Sequence, residues 1–172
     1  GALEYSPTFY ENGIVFISDA KVESKDALQD QKIDKNTMSI FLSRRNEEGV
    51  LNPAMPFAKE LTTKFHEGPI TFNKTNDKVF FSRNDFLDGK VEKAKDGVVK
   101  QMIISADMVG GKWTNEKRLS FNDKEYDFHH PSINVDDNIL YFASNRPGGY
   151  GGTDIWKVEK VGESWGQPVN LG

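Results

Sequence analysis

Proline recurs at positions 7, 69 and 131, an interval of 62 residues each time. Each one sits in the same setting. The stretches "EYSPTFYENGIVFIS", "HEGPITFNKTNDKVFFS" and "HHPSINVDDNILYFAS" each run from a proline through an apolar strand and a polar turn to a second strand ending on serine. A third pattern keeps the same spacing, with "SIFLS" from Ser39, "QMIIS" from Gln101 and "DIWKV" from Asp154 as a shortened counterpart. After a glycine turn, the stretches 51–57, 113–119 and 165–171 close each unit. Fixed self-similarity of this kind restricts a chain to repeat architectures, in which each unit buries its faces only against its neighbours.

Read this way, the chain has three repeats, at about 3–62, 63–124 and 125–172, each of four short strands rich in β-branched and aromatic residues. The expected fold is all-β: a β-propeller of which three four-stranded antiparallel blades are visible. Pro53, Pro56 and Pro168 fall on the fourth strands, which are outer edges where a missing N–H costs least. A sandwich or jelly roll also uses twelve short strands, but neither predicts a strict proline period. Closed propellers need four blades or more. Three units are therefore expected to form part of a larger ring, completed by further blades or by self-association of two copies. The start "GALEYSPTF" has no charged or apolar leader region, as expected of a mature or excised piece.

Composition removes several function classes. The 22 basic and 26 acidic residues are interspersed, leaving no basic stripe for nucleic acid to follow. No cysteine is present, so disulfides and thiolate metal sites are absent. No apolar run is long enough for a membrane span, so direct membrane insertion is not expected.

The densest local feature is "ASNRPGGYGGTDIW", where Gly148, Gly149, Gly151 and Gly152 precede Asp154. Its position between the second and third strands of the third unit makes it a hairpin loop, with glycine supplying positive φ. It lacks the Lys-Ser/Thr pair of a phosphate loop and the following helix of a dinucleotide loop. Against the calcium nonapeptide, Asp154 comes one residue late and the motif occurs once. Asp154 is instead read as a cap for backbone N–H groups of its own loop. His129 and His130 are adjacent on a strand, where alternation points them to opposite sides, so no shared metal is expected. Asp136 and Asp137 form a turn signature. No serine lies in a nucleophile elbow, and Trp113 and Trp165 are read as packing residues. No catalytic residue, metal or cofactor is expected.

The third unit resembles the TolB-type propeller repeat of Bacteroidota envelope proteins, especially OmpA-family proteins including the PorE-like proteins of type IX secretion. The residues that carry the resemblance are Pro131, Asp136-Asp137, Tyr141-Phe142, Ser144-Asn145-Arg146, the glycine loop through Asp154-Ile155-Trp156, and Trp165 with 168–172. Units one and two match more loosely and replace the glycine loop with longer charged insertions. The resemblance implies a non-catalytic scaffold in the periplasm or cell envelope, associated with the outer membrane. Its partners would be envelope proteins, including outer-membrane or peptidoglycan-associated components. The alternative is a glycan-binding or sialidase-like glycan-cleaving propeller, suggested by "GESWGQP", which lacks the S-x-D-x-G core.

In an up-and-down unit, the loops from second to third strand share one face with the connectors between units. That face gathers 19–38, 83–100, 145–153 and the connectors bearing His66 and His129-His130, while the opposite turns are short. Binding is therefore expected from Arg83, Asn84, His129, His130, Asn145, Arg146 and Tyr150, with Tyr150 exposed at a loop tip.

Overall fold

The computed structural model describes residues 2–20 and 37–172. It is all-β, and each repeat holds one antiparallel sheet whose strands follow one another in order. The first sheet contains β1 (Glu4–Tyr10), β2 (Gly13–Ser18), β3 (Ser39–Arg44) and β4 (Met55–Pro56). The second contains β5 (Glu67–Phe72), β6 (Lys78–Asn84), β9 (Gln101–Val109) and β10 (Lys112–Arg118). The third contains β11 (Phe128–Ile133), β12 (Ile139–Ser144), β13 (Asp154–Val161), β14 (Ser164–Trp165) and β15 (Val169–Asn170). Within the 83–100 insertion, β7 (Phe86–Leu87) and β8 (Lys90–Val91) form a small hairpin. The one helical element among the described residues is the 3-10 turn η1 (Lys59–Leu61).

The expected fourth strands are shorter than the pattern suggested in units one and three. Pro53 and Pro56 reduce the first to β4 plus a single Arg45–Leu51 bridge, and Gly166 to Pro168 separates β14 from β15. Only β10, which has no proline, runs seven residues. This is the behaviour expected where ladder N–H groups are missing.

The periodic proline marks a repeated bulge. Registers slip between Tyr5 and Thr8, between Glu67 and Ile70, and between His129 and Ser132, so each first strand is kinked at the same repeat position. Ser6 and His130, the residues before Pro7 and Pro131, both take φ 55°. The turns that follow share a device as well. Asn73 Oδ1 accepts the Asp77 and Lys78 amides, and Asn134 Oδ1 accepts those of Asn138 and Ile139. Asn76 and Asp137 hold left-handed φ within them. Asp137 does not cap its own turn. Its carboxylate accepts the Lys74 amide of the preceding unit at 3.0 Å.

The three sheets share one apolar core. Val15, Ile17, Ile40 and Leu42 of the first sheet are buried toward the second. There Tyr10, Phe57, Phe72 and Trp113 pack with ring centroids 4.5–6.5 Å apart. The second sheet turns its other side to the third. Phe80 meets Trp165 edge-on at 5.8 Å, and Thr71 Oγ1 accepts the Ile133 amide. Leu140, Phe142, Trp156 and Val158 fill that contact. In repeat terms Phe142 and Phe80 correspond to Phe16, which instead lies on the side of the first sheet turned away from the second, stacked on Phe41 at 6.2 Å. The two intersheet contacts thus use alternate faces of the repeat.

Candidate functional site

Hydrogen bonds tie the expected loop face together. The Met38 amide donates to His66 Nδ1 at 3.2 Å, joining the end of the first insertion to the connector between units one and two. Gln101 N donates to Asp127 Oδ1, Lys95 N to Glu125 Oε2 and Asp127 N to Asn145 Oδ1, which links the second insertion, the next connector and the glycine loop. Of the first insertion, 21–36 lie outside the described residues.

The glycine loop is braced by one carboxylate. Asp154 is buried at the start of β13 and accepts the Tyr150 amide at 3.1 Å and the Gly151 amide at 3.2 Å. The cap read from the sequence is the one found. Gly148 holds φ 98°, and a Cβ on Gly149 would lie 1.8 Å from Asp154 Oδ2, so these two positions require glycine. Gly151 and Gly152 are exposed and meet neither constraint. Tyr150 projects from the loop with 90% of its surface exposed.

The other predicted contacts divide sharply. Arg83 is not a surface residue: it is 1% exposed. Its guanidinium donates to the carbonyls of Leu61 at 3.3 Å and Phe86 at 3.0 Å, and pairs with Glu116 at 2.6 Å. A buried Arg must find partners for its charge, and these come from the connector, the β7 hairpin and β10. Asn84 is half-buried at the end of β6 opposite Gln101. Arg146 lies over the Trp156 ring at 4.9 Å, a cation–π contact. Asn145 is exposed, but its side chain is engaged with Asp127.

His129 and His130 depart most from expectation. The left-handed φ of His130 cancels strand alternation and brings both imidazoles to one side, with Nδ1 atoms 2.7 Å apart. Burial, with His130 beside it, holds His129 below the ordinary imidazole range against the pull of Asp127, and burial lowers His130 as well.

Two features gave no sequence signal. Glu67, opposite Arg83 in the β5–β6 ladder, is 1% exposed. Its Oε1 accepts from Thr63 N at 2.8 Å and Thr63 Oγ1 at 2.7 Å, while buried Oε2 has no partner among the described residues. Burial pushes its pKa to about 8, outweighing the Thr63 hydrogen bonds and Arg83. Separately, a cleft of about 360 Å³ opens between the second and third sheets, lined by Lys78, Lys117, Arg118, Lys160, Phe80 and Trp165 among others. The repeat pattern fixed Trp165 as a packing residue but could not show that a cleft lies beside it.

No protein-family model matches the chain, and no curated protein matches it. Among solved structures it is similar to a puromycin-hydrolysing peptidase of Mycobacterium tuberculosis, with a TM-score of 0.55 and 11% identity. That match covers 100% of this chain and 24% of the peptidase, so the chain spans about a quarter of that protein's length. At such identity the likeness is one of fold.

Proposed function

We propose that this chain is a non-catalytic interaction module: three units of a larger propeller-type ring that present a partner-binding face formed by its interunit connectors and second-to-third-strand loops. The observation that carries the reading is Tyr150, 90% exposed on a loop whose backbone is fixed by Asp154. A pre-ordered aromatic loses little conformational freedom on binding, which favours its use as an anchor. His130 and Asn145 lie exposed at the same end of the third sheet. The ring rests on the 62-residue period and the meander order of each sheet, and the alternate faces used at the two intersheet contacts count against it. The resemblance of the third unit to TolB-type repeats supports a periplasmic or envelope setting, with outer-membrane or peptidoglycan-associated proteins as partners.

Capture from a Bacteroidota envelope extract tests the face. Tyr150→Ala is expected to lose partners that wild type retains, whereas Val135→Ser, in an opposite turn, retains them. The reverse pattern would overturn the assignment. Turnover of puromycin or peptide amides by the purified chain would refute the non-catalytic reading. For the ring, a structure of a longer chain decides: successive sheets of a ring must use the same pair of faces. If the alternate faces seen here persist, the ring is wrong.

A further inference from the structure

The bulge in β11 holds two imidazoles together where a regular strand would separate them. The register slip recurs in all three first strands, so the kink belongs to the repeat, and Ser6 of unit one shares the φ of His130. The equivalent pairs in units one and two are Tyr5-Ser6 and Glu67-Gly68, so the adjacent imidazoles belong to the third unit alone. Their Nδ1 atoms are 2.7 Å apart, with ring planes at 76°. One neutral imidazole donates its Nδ1 proton and the other accepts it. His130 is exposed and His129 half-buried, so the pair is accessible.

Once both rings turn so that their lone pairs meet at one point, the separation fits a particular coordination geometry. Metal–imidazole bonds are about 2.0 Å long. Two nitrogens 2.7 Å apart at that distance subtend about 85° at the metal, the angle between cis positions of a square plane. A tetrahedral ion would require them about 3.3 Å apart. Square-planar nitrogen and oxygen sites suit Cu(II) and Ni(II), and Cu(II) binds more strongly in the general order of divalent affinities. Among the described residues no group of three His, Cys, Asp or Glu side chains converges, so water must complete the coordination.

We propose that His129 and His130 chelate one Cu(II) ion through their two Nδ1 atoms. The proton between them is not lost to the balance. The donating imidazole releases it from Nδ1 and takes one from solvent at Nε2, so both rings stay neutral and each offers an Nδ1 lone pair.

Titration of the protein with CuCl2, followed by calorimetry and electron paramagnetic resonance, tests this. Wild type is expected to bind one Cu(II) with hyperfine coupling to two imidazole nitrogens, and to bind Zn(II) at least about tenfold more weakly. His66→Gln, removing the third histidine, is expected to change neither result. His129→Gln and His130→Asn should each weaken Cu(II) binding by about tenfold or more and leave one coupled imidazole. Asn tolerates positive φ, so His130→Asn keeps the bulge, and unchanged thermal unfolding of the metal-free variants shows that the fold is intact. Undiminished Cu(II) affinity in the double variant, or tighter binding of Zn(II) than of Cu(II), overturns the proposal and leaves adventitious binding only.

Discussion

Replacing Glu67 by Gln tests how the buried end of the β5–β6 ladder is held. Arg83 stands opposite but directs its N–H groups to Leu61, Phe86 and Glu116, so it does not fully compensate an ionised Glu67. The folded-state pKa of about 8 lies above the ordinary 4.5. A carboxyl raised in the folded state is protonated more readily there than in the unfolded chain. Its contribution is therefore full below about pH 4.5 and is lost as pH rises through about 8. One proton of difference changes stability by roughly 1.4 kcal/mol per pH unit. Between about pH 6.5 and 8 the wild type should lose on the order of 2 kcal/mol. The histidines, whose folded pKa values are lowered, act in the opposite sense and mainly below this window. Urea unfolding at half-unit pH intervals measures the slope, and Glu67→Gln should flatten it, since Gln can still accept from Thr63. Subtracting the two curves removes the contributions of all other titrating groups. A wild-type stability that rises across this window, or a slope shared by both proteins, would refute the reasoning.

Arg83→Ala should destabilise by about 3–5 kcal/mol, because it leaves Glu116 and two carbonyls without their partner; Tyr150→Ala should stay within about 0.5 kcal/mol in the same urea assay. Gly149→Ala forces Asp154 off the loop, at a cost of about 1–3 kcal/mol for the amides it leaves unmade, and should shift the Tyr150 and Gly151 amide resonances while leaving those of β9 in place. Trp113→Ala opens the aromatic contact between the first two sheets and should cost about 3–5 kcal/mol by thermal or urea unfolding, against a near-zero effect for Val161→Ala on an exposed strand end.

Signals that act over a few residues were legible in the sequence. The proline interval located all three first strands, and Asp154 was read as the cap that it is, because proline geometry and side-chain caps operate locally. The roles of the arginines were not legible. Both were expected as partner contacts, yet Arg146 lies on Trp156 and Arg83 holds carbonyls of the connector and the hairpin. What separates them is the β7–β8 hairpin and the Leu61 connector closing over one position and not the other, which depends on segments far apart in the chain. The histidine pair failed for a different reason. Strand alternation presumes regular φ, and the bulge before Pro131 breaks that regularity. Nor does a period of 62 say which side of each sheet meets its neighbour, since that is decided by packing between units.

The hydrogen bond from the Lys74 amide to Asp137 crosses from one unit to the next. The turn between β5 and β6 is therefore left with an open amide until the third sheet docks, and a chain emerging in order would carry an unfinished second unit for as long as the third is missing. Truncation after the second repeat would remove more than a terminal layer. It would unlatch the tip of the sheet that remains while stripping Trp165 from Phe80. The units share one pattern, yet they are stitched so that removing the third disturbs the second.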